Sequence, residues 1–189
     1  MSEVKQTRIS LKRLKVAAFA SEETLCFEAT VLLDGLPIAE ARNDGHGGMT
    51  NLRAIKGAEA KLRSADEFAK SLPPLISEYA DPKDATRKLE LPMSLEFLVD
   101  LLASHEDAEK RLRTAFKRDM AKKVMYVANN RLLYLKGINR IICSTEEIQR
   151  FHKRIRAEHG PETTILHELS QDEAFALWRR FAVKEGDTP

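Results

Sequence analysis

Thr24-Leu25-Cys26-Phe27-Glu28-Ala29-Thr30-Val31-Leu32-Leu33-Asp34-Gly35-Leu36-Pro37-Ile38-Ala39-Glu40-Ala41-Arg42 is the stretch that decides the fold. Leu25, Phe27, Ala29, Val31 and Leu33 fall on one face and Thr24, Cys26, Glu28 and Thr30 on the other, the period of a half-buried strand. Asp34-Gly35 supplies a tight hairpin turn, so residues 36–42 return as the partner strand. Upstream, Ile9 and Leu11 share one phase and Leu14, Val16 and Ala18 the other, and a bulge at Lys12-Arg13 reconciles them. Residues 7–43 therefore read as a three-stranded antiparallel meander.

Downstream, Ile55, Ala58, Leu62, Ala65, Ala69 and Leu72 recur at spacings of three and four, a helical stripe whose small alanines permit close approach to the sheet. Pro73-Pro74 ends it, and the proline- and charge-rich stretch that follows reads as a linker at 81–93. Leu95, Leu98, Val99 and Leu102 open further helix, and Ser104 offers a fresh cap before Glu106, Asp107 and Glu109, so 95–122 reads as two helices or one kinked helix. Asn129-Asn130 turns a hairpin between 124–127 and 132–135, and Ile138 to Cys143 is a further apolar run. Ser144-Thr145-Glu146-Glu147 and Ser170-Gln171-Asp172-Glu173 are capping boxes for two helices, with a strand at 163–169 between them. The expected class is α+β: an antiparallel sheet plus helix over 1–80, the linker, and a helix-rich α+β unit over 94–189.

A chain of 189 residues with 43% hydrophobic and 32% charged residues is that of a globular protein with one sizeable core or two small ones. No apolar run approaches the roughly 20 residues that cross a bilayer, and the first residues lack the apolar core of a secretion signal, so the expected location is the cytosol with no membrane partner. Cys26 and Cys143, far apart in apolar segments, read as buried thiols.

The net charge of +2 conceals an asymmetry. Lys110 to Arg156 holds 14 Lys or Arg against Asp119, Glu146 and Glu147, a segment of +11. Such a segment either meets the acidic remainder of its own molecule or an external polyanion. The acid-to-base gradient along 106–123 also suits a helix dipole, which would account for part of the count. The candidate basic surface comprises Lys110, Arg113, Lys117, Arg118, Arg150, Lys153, Arg154, Arg156, Arg179 and Arg180. A cluster of this kind suits phosphate, with affinity that falls steeply with salt, although Tyr126, Tyr134 and Trp178 sit where packing claims them rather than bases.

The other candidate is Asn43-Asp44-Gly45-His46-Gly47-Gly48, which holds three of the eight glycines. With a helix starting near Thr50 or Asn51, it would be a strand, glycine loop and helix N-terminus in order, where backbone N–H groups favour an anion and Arg53 adds a cation. It is no Walker motif, since Met49-Thr50 follows where lysine belongs. The plainer reading is a turn, with Asn43 and Asp44 bonding the backbone. Asp44 and His46 are the one close pair of metal-capable side chains, and a metal would need Glu22, Glu23, Asp34 or a more distant residue as well. Asp34, Glu40 and Arg42 only faintly follow the carboxylate order of metal-dependent nucleases, and no histidine pair has zinc spacing. No nucleophile elbow, dinucleotide fingerprint, zinc finger or RNA-recognition motif is present, so no cofactor and no metal is expected.

From Ile9-Ser10-Leu11 through Glu23-Thr24-Leu25-Cys26-Phe27-Glu28-Ala29 to Asn43-Asp44-Gly45-His46-Gly47-Gly48, the chain resembles the N-terminal part of uncharacterised small proteins of phages and mobile elements. The shared features are a strand bearing E-T-x-C-F-x-A, a D-G hairpin and an N-D-G-x-G-G loop, covering about the first quarter. The resemblance carries no activity and no functional residue. It implies an accessory protein acting in a bacterial cytosol on nucleic acid or on a host or viral complex. The expected function is a non-enzymatic binding protein whose basic C-terminal half contacts nucleic acid or an acidic protein surface. The alternatives are a metal- or phosphate-dependent hydrolase or nuclease centred on the glycine loop, and a purely structural or inhibitory module whose charges only keep it soluble.

Overall fold

The computed structural model describes residues 5–182. It is α+β, and the chain divides into two compact units whose boundary falls between Asp107 and Ala108. The expected linker does not coincide with that boundary: residues 81–93 contain a strand, and the division lies inside a helix.

In the first unit, β1 (Ile9–Val16), β2 (Phe27–Leu33), β3 (Leu36–Asn43) and β4 (Asn51–Ala54) form an antiparallel sheet in that order. β2 alternates as its sequence requires, with Phe27, Ala29, Val31 and Leu33 buried. The bulge in β1 lies between Lys12 and Lys15, where Arg13 takes φ 59°. Asp34 and Gly35 turn the β2–β3 hairpin at φ 49° and 80°.

The meander gains a fourth strand, which corrects the three-strand expectation. Residues 51–54 pair with β3, Ala39 opposite Ala54 and Arg42 opposite Asn51, in place of the expected helix start. The first helix, α1 (Glu59–Ser71), begins only after the positive-φ turn at Gly57. Its buried Ala65 and Ala69 lie in one core with the sheet and with Leu95, Leu98, Val99 and Ala103, so two helical segments cover the buried face. β5 (Leu75–Asp81) and β6 (Asp84–Leu91) form a separate irregular hairpin.

α2 (Leu95–Lys122) is one continuous 28-residue helix, about 42 Å long at 1.5 Å per residue. Ser104 does not restart it. Its internal acids, Glu106, Asp107 and Glu109, therefore stand mid-helix and not at an N-terminus.

In the second unit, β7 (Met125–Ala128) and β8 (Arg131–Tyr134) turn at Asn129 and Asn130, both at positive φ, and β9 (Thr164–Ile165) adds to the other edge of β7. The strand expected at 163–169 reduces to those two residues and a tight turn at 166–168. α3 (Thr145–His159) and α4 (Gln171–Ala182) both open on the expected capping boxes, Ser144 with Glu147 and Ser170 with Glu173. Phe116, Phe175 and Trp178 pack as one aromatic group with centroids 5.3–6.3 Å apart. The apolar run 138–143 is not buried: it forms a short turn at 140–142 that exposes Ile141 and Ile142. Both cysteines are half-buried, more accessible than expected.

Candidate functional site

The glycine loop is built around Asn43, which ends β3 and is only 4% exposed. Its Oδ1 accepts from Thr24 Oγ1 and from the Gly45 N–H, both at 2.9 Å. Its Nδ2 donates to the Gly48 carbonyl and to Thr50 Oγ1, both at 3.1 Å. An amide side chain has two donors and two lone pairs, so Asn43 is saturated. The chain of bonds continues from Thr50 Oγ1 to Asp100 on α2, and from the Gly47 N–H to Thr24 Oγ1 at 3.3 Å.

The loop is also clasped to residues 20–24. The Gly45 carbonyl accepts the N–H groups of Glu22, Glu23 and Thr24 at 3.0–3.2 Å. Gly45 has φ 87°, and a Cβ there would collide with the Ala20 carbonyl oxygen and lie 2.9 Å from Cys26 Cβ. Glycine is thus demanded twice, by conformation and by close approach.

This geometry corrects the anion-cradle expectation in two respects. The N–H groups of Gly45 and Gly47 are bonded internally, and the loop leads into β4, with no helix N-terminus behind it. Arg53 stands on β4 opposite Glu40, not in a first helical turn. Asp44 accepts from Arg42 Nε at 2.9 Å, while exposed His46 faces Glu22 at 3.2 Å, so the metal-capable pair diverges. Asp34 pairs with Arg8 at the other end of the β2–β3 hairpin. Among the described residues, no group of three His, Cys, Asp or Glu side chains is placed to hold a metal ion.

Three residues of this network, Thr24, Thr50 and Asp100, are not among the candidates that the sequence marks. Asp100 has a legible signal, a carboxylate beside the core positions Leu98, Val99 and Leu102. Burial raises its proton affinity, opposed chiefly by the hydrogen bond from Thr50. Beside the loop, a shallow cleft of about 190 Å³ is lined by Lys15, Cys26, Arg42 and Asp44 among others.

The basic candidates of the second unit separate into engaged and free side chains. Arg113 stacks over Phe175 at 4.4 Å and lies 3.9 Å from Asp172. Arg150 pairs with Glu146 at 3.7 Å, Arg156 with Glu168, and Arg179 with Glu109. Arg154 lies over Phe151 and Arg180 over Phe181, at 5.6 and 5.5 Å. In Glu168 the neighbouring Arg156, and to a lesser degree His152, hold the carboxyl below its ordinary range against the opposing effect of burial. Internal pairing thus takes up part of the charge, within the unit itself.

Lys110, Lys117 and Arg118 have no ion-pair partner among the described residues, and neither does Lys153. The first three lie at i, i+7 and i+8 of α2, on the side away from Leu112, Phe116 and Met120, which belong to the core. The helix dipole does not explain them. Its influence fades within the last turn, which here holds Lys122 and Lys123. Of the aromatic residues considered for base stacking, Tyr126 and Trp178 are buried, and half-exposed Tyr134 lies beneath Lys123. No helix among the described residues is long and apolar enough to cross a membrane. No protein-family model matches the chain, and comparison with curated proteins and with solved structures returned no match.

Proposed function

We propose that the chain is a non-enzymatic accessory binding protein, of phage or mobile-element type, whose C-terminal unit meets a polyanion, nucleic acid foremost. The observation that carries this reading is the exposed run Lys110, Lys117 and Arg118, without an ion-pair partner among the described residues and beyond the reach of the helix terminus. Eight residues of helix span about 12 Å, so these cations can follow successive phosphates. With Tyr126 and Trp178 buried and Tyr134 taken up beneath Lys123, binding rests on charge and is sequence-independent.

Titration of labelled duplex DNA, single-stranded DNA and RNA at about 50 and 200 mM salt tests the reading. Binding should weaken with salt, and K110A/K117A/R118A should flatten the dependence by about 0.9 in logarithmic slope for each duplex phosphate no longer neutralised. Failure of all three nucleic acids to bind at the lower salt would sink the nucleic-acid reading.

An acidic protein surface is the second reading, favoured by Ile141 and Ile142, which are 63% and 80% exposed on the turn before α3. A phosphate backbone offers such side chains nothing, whereas a protein partner with an apolar centre and acidic rim would seat them. A hydrolase centred on Asn43–Gly48 finds little support, because the loop's Gly45 and Gly47 N–H groups and Asp44 are already engaged. Metal uptake or a metal-induced thermal shift abolished by His46→Ala would revive it.

A further inference from the structure

Three buried nitrogens of the second unit have no hydrogen-bond partner among the described residues: Arg140 Nε, His152 Nε2 and His167 Nδ1. They belong to one junction. The Met120 carbonyl of α2 lies 2.9 Å from His167 Nε2 and accepts from Arg140 Nη1 at 3.5 Å. On α3, His152 Nδ1 lies 3.0 Å from Glu168 Oε1, and Arg156 donates to the other carboxylate oxygen. Glu168 directly follows His167 on the turn 166–168, so α2, α3 and two turns meet through these groups.

Hydrogen-bond chemistry fixes both imidazole tautomers. A carbonyl oxygen only accepts, so His167 carries its proton on Nε2 and leaves Nδ1 bare. An ionised carboxylate likewise only accepts, so neutral His152 carries its proton on Nδ1 and leaves Nε2 bare. Two of the three unpartnered atoms are thus buried lone pairs, and the third is the N–H of a permanent cation.

The two rings differ in what a second proton would meet. At His152 the new charge faces Glu168, a carboxylate already shared with Arg156. At His167 it would be sealed in beside Arg140, with His152 near and only the Met120 carbonyl dipole to favour it. Burial first, then Arg140 and His152, hold the proton affinity of His167 below the ordinary histidine range.

We propose that this junction is an acid-responsive latch: neutral His167 holds it closed on Met120, and proton uptake by His167 opens it, loosening the last turns of α2 from the segments carrying Arg140 and His167. With its ring protonated, His167 joins Arg140 and Arg156 to set three positive charges against the carboxylate of Glu168. Outward movement into water relieves that imbalance. The sign follows from linkage. A folded-state histidine with lowered proton affinity binds fewer protons than the unfolded chain, so stability rises with pH and is lost as pH falls through about 6.5. The latch operates whether or not the α2 cations meet nucleic acid.

Trp178 is the only tryptophan of the chain and is buried in the second unit, so its fluorescence reports on that unit within the full-length protein. Thermal unfolding followed at Trp178 should give a Tm lower by about 4 °C or more at pH 5.5 than at pH 7.5. H167Q keeps an amide donor for Met120 but cannot titrate, and it should lose most of that difference. If H167Q does not fold, the imidazole C2 proton of His167 in the wild type decides, with an expected NMR midpoint below about 6.5. An equal acid loss in H167Q and wild type would overturn the latch, and so would a His167 midpoint at or above that value.

Discussion

Each unit of the protein buries a polar cluster, one on Asn43 and one on His152, His167 and Arg140, and the two are finished differently. At Asn43 both donors and both lone pairs are matched, and the bonds run on through Thr24, Thr50 and Asp100. At the histidine junction three nitrogens are left over. A saturated network holds its backbone in one arrangement and has no capacity for another ligand. An unsaturated one keeps a lone pair in reserve, and a lone pair on imidazole is where a proton goes. The loop that looks most like a site in the sequence is therefore the rigid part, and the proposed latch makes inconspicuous His167 the responsive one.

Gly45 is where this contrast breaks first. Gly45→Ala forces a side chain into the left-handed region and against the backbone of Ala20, and it should cost about 3 kcal/mol or more, read by urea unfolding followed by circular dichroism. A loss below about 1 kcal/mol would mean that the clasp yields and is no rigid counterpart to the junction. Asn43→Ala comes next. It strands several buried groups at once, for an expected loss of about 2 to 4 kcal/mol in the same measurement.

Asp100→Asn sharpens the contrast from the opposite direction. Burial raises the proton affinity of this carboxyl, so the folded chain holds its proton to higher pH than the unfolded chain, and stability is gained as pH falls towards about 4. The amide keeps an acceptor for Thr50 and removes the buried charge. It should raise Tm at pH 7 by about 2 °C and flatten the acid-side gain. The smallest effect is expected on the solvent side of α2, where K117A/R118A should leave Tm unchanged within about 1 °C while weakening nucleic-acid binding.

The parts of the fold that sequence reveals are those whose signals are local. β2 shows its period in four alternating apolar residues, Asn129-Asn130 announces its hairpin, and Ser144 and Ser170 announce their helices. β4 is hidden because Asn51-Leu52-Arg53-Ala54 is too short for a period, and its pairing with β3 is a tertiary event. Ser104 followed by acids is a sound cap signal, but the apolar stripe continues through it and packing keeps α2 whole. At the site, the glycines correctly mark close approach, yet the approaching group is the chain's own backbone at residues 20–24. Which arginines are free is not legible from spacing either. Asp172, Glu168 and Glu109 reach Arg113, Arg156 and Arg179 from other elements.

The carbonyl of Gly45, bonded by three successive amides, has a consequence in time as well as in space. The N–H groups of Glu22, Glu23 and Thr24 belong to a segment whose two glutamates are solvent-exposed, and by exposure alone their amides would trade hydrogen for deuterium within moments. Tied to one acceptor, they can exchange only when the clasp opens, so the three should show one common opening rate. That rate is a clock for the loop, set by the withdrawal of a single oxygen atom.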